Sequence, residues 1–239
     1  MHERKEFKRP PKKYAPKGLT ILFEDRDLLV VNKINGLLTI SSAGEKENTA
    51  HYILNDYVQK GNPKSRNRVY IVHRLDKDTS GVLIFAKSEQ AKRYLQDNWG
   101  SFTKMYTAIV HGILEEKEGV ISTYLVENNA FKVYSVDDPK LGKLAETGVK
   151  VIKESGKFSL LAINLYTGRK HQIRVHLSEM GYPVAGDKVY GEKGKGIKRL
   201  ALHASSITIS HPFTKEKMTF EAPLPSYFNY LMKGKEDLK

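Results

Sequence analysis

The sequence predicts an α+β protein built on a large, mixed, mostly antiparallel sheet flanked by helices and loops. Three observations predict it. Runs rich in β-branched and aromatic residues outnumber the helical stretches. The two kinds of element do not alternate in the regular manner of a doubly wound sheet. With 40% of 239 residues hydrophobic, the chain is also long enough for one large domain or two small ones.

Taken in order, residues 1–18 hold seven Lys/Arg, two Glu and three Pro with few large apolar residues, and read as a flexible basic arm. Two apolar runs follow, Leu19–Phe23 and Leu28–Val31. They flank the polar turn Glu24–Asp27 and so predict a hairpin. In "NTAHYILNDYVQKG" the residues Ala50, Ile53, Leu54, Tyr57 and Val58 recur at helical spacing, with Asn48 or Thr49 as N-cap and Gly61 as stop. "VYIV" and "GVLIFAK" read as strands on either side of the loop "HRLDKDTSG". A second helix is predicted from its cap at Ser88 to Gly100, with Ala91, Tyr94, Leu95 and Trp99 on one face. "KMYTAIVHG" and "FSLLAINLYTG" are strands by composition. "HQIRVHLSEMG" is a helix that opens after the turn "TGRK" and closes at Gly181. Residues 233–239 form a polar tail.

Lys and Arg total 40 against 27 Asp and Glu, a net charge of +13. Such a balance suits a polyanionic partner, because each neutralised phosphate releases condensed counterions. The alternative is a soluble protein with a lysine-rich surface. No apolar run reaches the roughly 18–20 residues of a membrane span, so a soluble protein with no membrane partner is expected. Cysteine is absent, which removes disulfides and thiolate metal sites and fits a cytoplasmic location.

His171 and His176 are five apart and lie on different helix faces, without the glutamate of a zinc-protease helix. A phosphate or base contact suits them better than a metal. The glycines of "YGEKGKGIKR" lack both dinucleotide and P-loop spacing. That stretch is either a solvated loop or a patch that tracks a phosphate backbone. Ser80 has no Gly-x-Ser-x-Gly elbow around it, so Thr79 and Ser80 are expected to brace a turn. Asp76 is the distinctive residue. A surface ion pair would be worth only about 0–1 kcal/mol. Asp76, however, lies where a strand gives way to an irregular loop and has a cation on either side, Arg74 and Lys77. A carboxylate used as a nucleophile must stay ionised, and a nearby guanidinium favours that state.

Together these segments resemble the RluA family of RNA pseudouridine synthases, in order, over about residues 19–228. "LLVVNKINGLLT" resembles the family's opening signature, with Ile34 where proline is common. "HRLDKDTSGVLIFAKS" resembles the catalytic motif, "KMYTAIVHG" the tyrosine segment and "GKLAETGVKVI" a structural segment. "LYTGRKHQIRVHLSEMGYPVAGDKVYG" is similar to the arginine segment, and "LALHASSITISHPFT" with "APLP" to the C-terminal end.

The resemblance implies a single catalytic domain over 19–232 that isomerises uridine in a structured loop of ribosomal or transfer RNA. It implies Asp76 as nucleophile on a flipped base, Arg174 pairing with that carboxylate, and Tyr106 stacking on the extruded uracil. Arg74 would fill the space that the base leaves, and Arg169, Lys170 and His171 would bind RNA. No cofactor or metal is implied, and a monomer is expected. Many relatives carry a further RNA-binding domain, where this chain has the basic arm. Two other classes compete: a non-catalytic RNA-binding protein, and a small hydrolase using Asp76 and His73. The pairing of Asp76 with Arg174 argues for the synthase, because a pure binder has no use for a carboxylate on a phosphate-binding surface.

Overall fold

The computed structural model describes residues 15–41, 47–60, 62, 64–191 and 197–233. Most of the basic arm, Gly61, the glycines at 194 and 196 and most of the polar tail lie outside the described residues. Eleven strands and four α-helices are present among them, and the fold is the expected α+β class. The chain divides into two compact units, one of residues 1–102 and 208–222, the other of 103–207 and 223–239.

The first unit opens with β1 (Leu19–Glu24) and β2 (Leu28–Lys33), the predicted antiparallel hairpin. Strand β2 pairs antiparallel with β4 (Ser80–Ala86), which also pairs with the short β3 (Tyr70–Ile71). Every residue of β4 is buried, and Leu28–Val31 of β2 are at 0% exposure. A strand apolar on both faces is what a central position in a covered sheet requires. Helix α1 (Ala50–Gln59) is capped by Thr49, whose side chain accepts the Tyr52 N–H. It ends at Lys60 in the left-handed region, one residue before the expected glycine. Helix α2 (Glu89–Asp97) is capped by Ser88 as expected. It stops short of Gly100, because residues Trp99–Ser101 tighten into a 3-10 turn.

The second unit contains β5 (Thr103–His111), β6 (Glu118–Glu127), β7 (Val133–Val136), β8 (Lys143–Ser155) and β9 (Phe158–Leu165), in the order β5-β9-β8-β6-β7. Each of these neighbouring pairs is antiparallel. Strand β10 (Leu202–Ser210) runs out of this unit and pairs with β11 (Lys217–Glu221). Helix α3 (Gln172–Glu179) and helix α4 (Ser226–Met232) complete the unit. Ile109, Leu161, Ile163, Ile173, Leu177 and Phe228 share its core. Six successive residues of α3, Gln172–Leu177, are buried. An arginine and a histidine in that run therefore need partners inside the protein.

Candidate active site

The loop that carries Asp76 is fixed on both sides of it. On one side, the buried Thr39 hydroxyl donates to the Leu75 carbonyl at 2.8 Å and accepts the Leu75 N–H at 3.1 Å. On the other, the Lys77 carbonyl accepts the Gly36 N–H at 2.8 Å and the Lys33 ammonium at 3.1 Å. The Thr79 N–H closes the turn onto the Asp76 carbonyl at 3.2 Å. Asp76 itself is half-buried, while Arg74, Lys77 and Asp78 are exposed.

Lys33 was not legible as a site residue. It is fully buried and also donates to the carbonyls of Ile34 (3.0 Å) and Leu37 (2.8 Å). Burial pulls its ammonium down to about 7, against the raising influence of Asp76 and Asp78. Ile34, where the family commonly has proline, is exposed. The turn is held instead by Gly36 in the left-handed region and by the three carbonyls gathered on Lys33.

His73 is occupied as a backbone anchor. Its Nε2 accepts the Ile84 N–H at 3.0 Å, and its ring packs 4.4 Å from that of Trp99. A nitrogen that already accepts a main-chain hydrogen is a poor base for activating water, which disfavours the hydrolase reading. The one group of potential metal ligands among the described residues is Asp25, Asp27 and His211. Two of its three members are engaged: His211 Nε2 meets Asp25 Oδ2 at 2.9 Å, while Nδ1 accepts the N–H groups of Phe213 and Thr214. Asp25 Oδ1 accepts those of Asp27 and Leu28.

The second unit carries the other expected residues. Tyr106, half-buried, lies on β5 opposite Ile163 of β9. Arg174 is buried in α3 and forks onto Asp187, Nε to Oδ2 at 2.6 Å and Nη2 to Oδ1 at 2.9 Å. Its guanidinium also lies 5.1 Å from the Tyr190 ring centroid. Burial alone would raise the Asp187 carboxyl. The Arg174 guanidinium and the Val189 and Tyr190 N–H groups more than offset that and hold it below the usual range. Gly186, next in sequence to Asp187, lets the Arg199 backbone pass close by. Its φ is +77°, and a Cβ there would fall 2.1 Å from the Arg199 carbonyl oxygen.

Arg169 and Lys170 are exposed, and His171 is half-buried in the left-handed region. Their turn is organised by the buried Gln172, whose Oε1 accepts from Thr167 and the Arg169 N–H and whose Nε2 donates to Glu146 and Thr147. Lys170 pairs with Glu127, and Arg169 Nε donates to the Leu144 carbonyl. His171 Nδ1 bonds the Tyr190 hydroxyl at 2.9 Å. His176 departs from the expected phosphate or base contact. It is buried between the Thr123 and Thr147 hydroxyls, each 3.0 Å from a ring nitrogen, and no polyanion reaches it there.

Residues 27–179 match the family model described as RNA pseudouridylate synthase. The chain belongs to the RluA family of RNA pseudouridine synthases. It is therefore an isomerase that acts on RNA. The synthase is 38% identical over 213 residues to the uncharacterized RNA pseudouridine synthase YhcT of Bacillus subtilis, covering 87% of this chain and 69% of that one. It is 33% identical over 216 residues to the ribosomal large subunit pseudouridine synthase C of Vibrio cholerae, covering 87% and 66%. The solved structure of human RNA pseudouridylate synthase domain containing 4 shares the fold of the synthase. Its TM-score is 0.75 at 24% identity, over 91% of this chain and 92% of that one.

Proposed function

We propose that the synthase isomerises uridines in single-stranded loops of structured ribosomal or transfer RNA, with Asp76 as the nucleophile acting on a base turned out of its stack. In that reaction the bond between C1′ and N1 breaks, the uracil turns, and C1′ joins C5. The proton on C5 leaves, and N1 ends protonated, so atoms and electrons balance without an oxidant or reductant. Extruding the base costs a few kcal/mol, least where it is already unpaired. Arg174 and Tyr106 take part in the same chemistry, Tyr106 by stacking on the uracil, and Arg74 occupies the space the base leaves. Arg169, Lys170 and His171 contact the RNA outside the reacting nucleotide. The protein works as a monomer in the cytoplasm.

The observation that carries this reading is the immobilised backbone around Asp76. Thr39 fixes the residue before it, and Lys33 with Gly36 fixes the residue after it. A nucleophile must be held in a near-attack position, and errors of about 1 Å can cost on the order of a hundredfold. A carboxylate serving only as a surface ion-pair partner needs no such restraint. The large-subunit names of relatives from Vibrio cholerae and Haemophilus influenzae favour ribosomal RNA over transfer RNA as the first substrate to try.

Asp76→Asn keeps the shape and removes the charge. The variant should bind transcribed large-subunit ribosomal RNA as the wild type does and form no pseudouridine, as read by chemical mapping of the modified base. Wild-type turnover by Asp76→Asn would refute the nucleophile assignment.

A further inference from the structure

The turn between β6 and β7 presents an aromatic ring to solvent in a conformation that a bulky side chain rarely adopts. Phe131 has φ of +59° and is 75% exposed. Left-handed backbone suits Gly or Asn and strains a large residue. Asn128 and Asn129 stand close by in the sequence, yet the left-handed position falls to the phenylalanine. The turn is tightly built. Asn128 Oδ1 accepts the N–H groups of Ala130 and Lys132, both at 3.0 Å. The Asn128 carbonyl accepts the Phe131 N–H at 2.9 Å, and the Lys132 carbonyl accepts the Asn128 N–H at 3.0 Å.

One cation lies against the ring, and two more adjoin Phe131 or that cation in sequence. The Lys170 ammonium lies 5.5 Å from its centroid and 3.3 Å from the Phe131 carbonyl. Lys132 is exposed next in sequence, with its ammonium 5.9 Å from the Tyr190 ring. Arg169 is exposed beside Lys170, and Glu127 pairs with Lys170. The stretches 131–132 and 169–170 with Glu127 carry three cations against one acid. A hydrophobic ring that folding leaves outside, on a strained and well-braced turn among cations, has the makings of a stacking platform for an unpaired base.

We infer that Phe131 stacks on an unpaired base of the RNA substrate while Lys132, Lys170 and Arg169 hold the adjoining phosphates. The platform selects single-stranded over duplex RNA, because bases inside a helix expose no face to it. It rests on the proposed reading only in that the target lies in a single-stranded loop. It adds a residue that recognises the flanking nucleotide rather than the reacting one.

The test compares wild type, Phe131→Gly and Phe131→Trp on a fluorescent uridine-rich RNA of about twelve nucleotides and on a duplex of the same length, a span within the site sizes of single-strand binders. Glycine suits the left-handed backbone, so Phe131→Gly should keep or raise Tm. Its Kd for the single strand should rise roughly tenfold, with an unchanged salt slope and little change on the duplex. Phe131→Trp should bind like wild type, and its added fluorescence should be quenched by the single strand. The inference is overturned by unchanged single-strand affinity in Phe131→Gly, by equal losses on both RNAs, or by a fall in Tm that marks Phe131 as a packing residue. It is overturned equally if wild type does not bind the single strand, or if sedimentation shows that Phe131 mediates self-association. Pseudouridine formation by wild type is scored separately, so failure of the chemistry and failure of the platform are distinguishable.

Discussion

Lys33 shows how one buried charge sets the geometry of the loop that carries Asp76. Its ammonium has three N–H donors, and three carbonyl oxygens receive them, those of Ile34, Leu37 and Lys77. The last belongs to the residue after Asp76, so the same group that closes the 34–37 turn also fixes the neighbour of the proposed nucleophile. Methionine has a similar volume and no donor. Lys33→Met should therefore leave carbonyl acceptors unpaired in the interior and cost about 2 kcal/mol in unfolding free energy. It should also lower the single-turnover rate at saturating enzyme, because Asp76 loses its restraint, while RNA affinity stays near wild type. A variant that is destabilised but reacts at the wild-type rate would confine Lys33 to a structural role.

Helix α3 illustrates what an element with few exposed residues demands. His176 sits between Thr123 of β6 and Thr147 of β8, and burial pulls its pKa down to about 4, against a small raising effect of Glu179. In the unfolded chain the imidazole titrates near 6.5. Between those values the unfolded state binds the extra proton, so stability is intact above about pH 6.5 and falls as the pH drops toward 4. The ceiling on this loss is about 3 kcal/mol. His176→Gln, which does not titrate there, should flatten that part of the profile in urea unfolding at stepped pH. Parallel profiles for the two proteins would remove His176 as the cause. Elements with strong local signals were legible in the sequence: the β1–β2 hairpin, the capped helices α1 and α2, and the apolar β4, β5 and β9. Strand β6 was not, because most of its residues are exposed or half-buried and it is held by pairing with β7 and β8. Helix α4 has seven residues and no side-chain cap, so nothing local announces it. At the site, local chemistry and the family resemblance pointed to Asp76, and the resemblance alone to Arg174. Asp187 lies thirteen residues beyond Arg174, past the left-handed Gly181 and Gly186, and only the folded turn brings it back. The bracing roles of Lys33, Thr39 and Gln172 depend on main-chain carbonyls and N–H groups, which carry no sequence signal.

At the scale of the whole molecule, the net charge suits an RNA partner. The net charge is +13, and residues 1–18 contribute seven cations and two acids, or +5 (7 − 2). Most of these residues lie outside the described structure, so the case for their role is electrostatic alone. We propose that they track phosphates. For single-stranded nucleic acid, each neutralised phosphate adds about 0.7 to the slope of log affinity against log salt. Removing residues 1–18 should therefore flatten that slope by roughly 2–4 and weaken binding most at low salt, where screening is least. Stacking by Phe131 involves no counterion release, so its loss should shift the line without tilting it. The two contributions are thus separable on one plot, and combining the deletion with Phe131→Gly should add the two effects if the sites act independently. Pseudouridine formation at saturating enzyme should survive the deletion, because the groups that restrain Asp76 begin at Lys33. An unchanged salt slope after the deletion would show that residues 1–18 do not contact the RNA backbone, and would leave the folded surface to supply the whole electrostatic term.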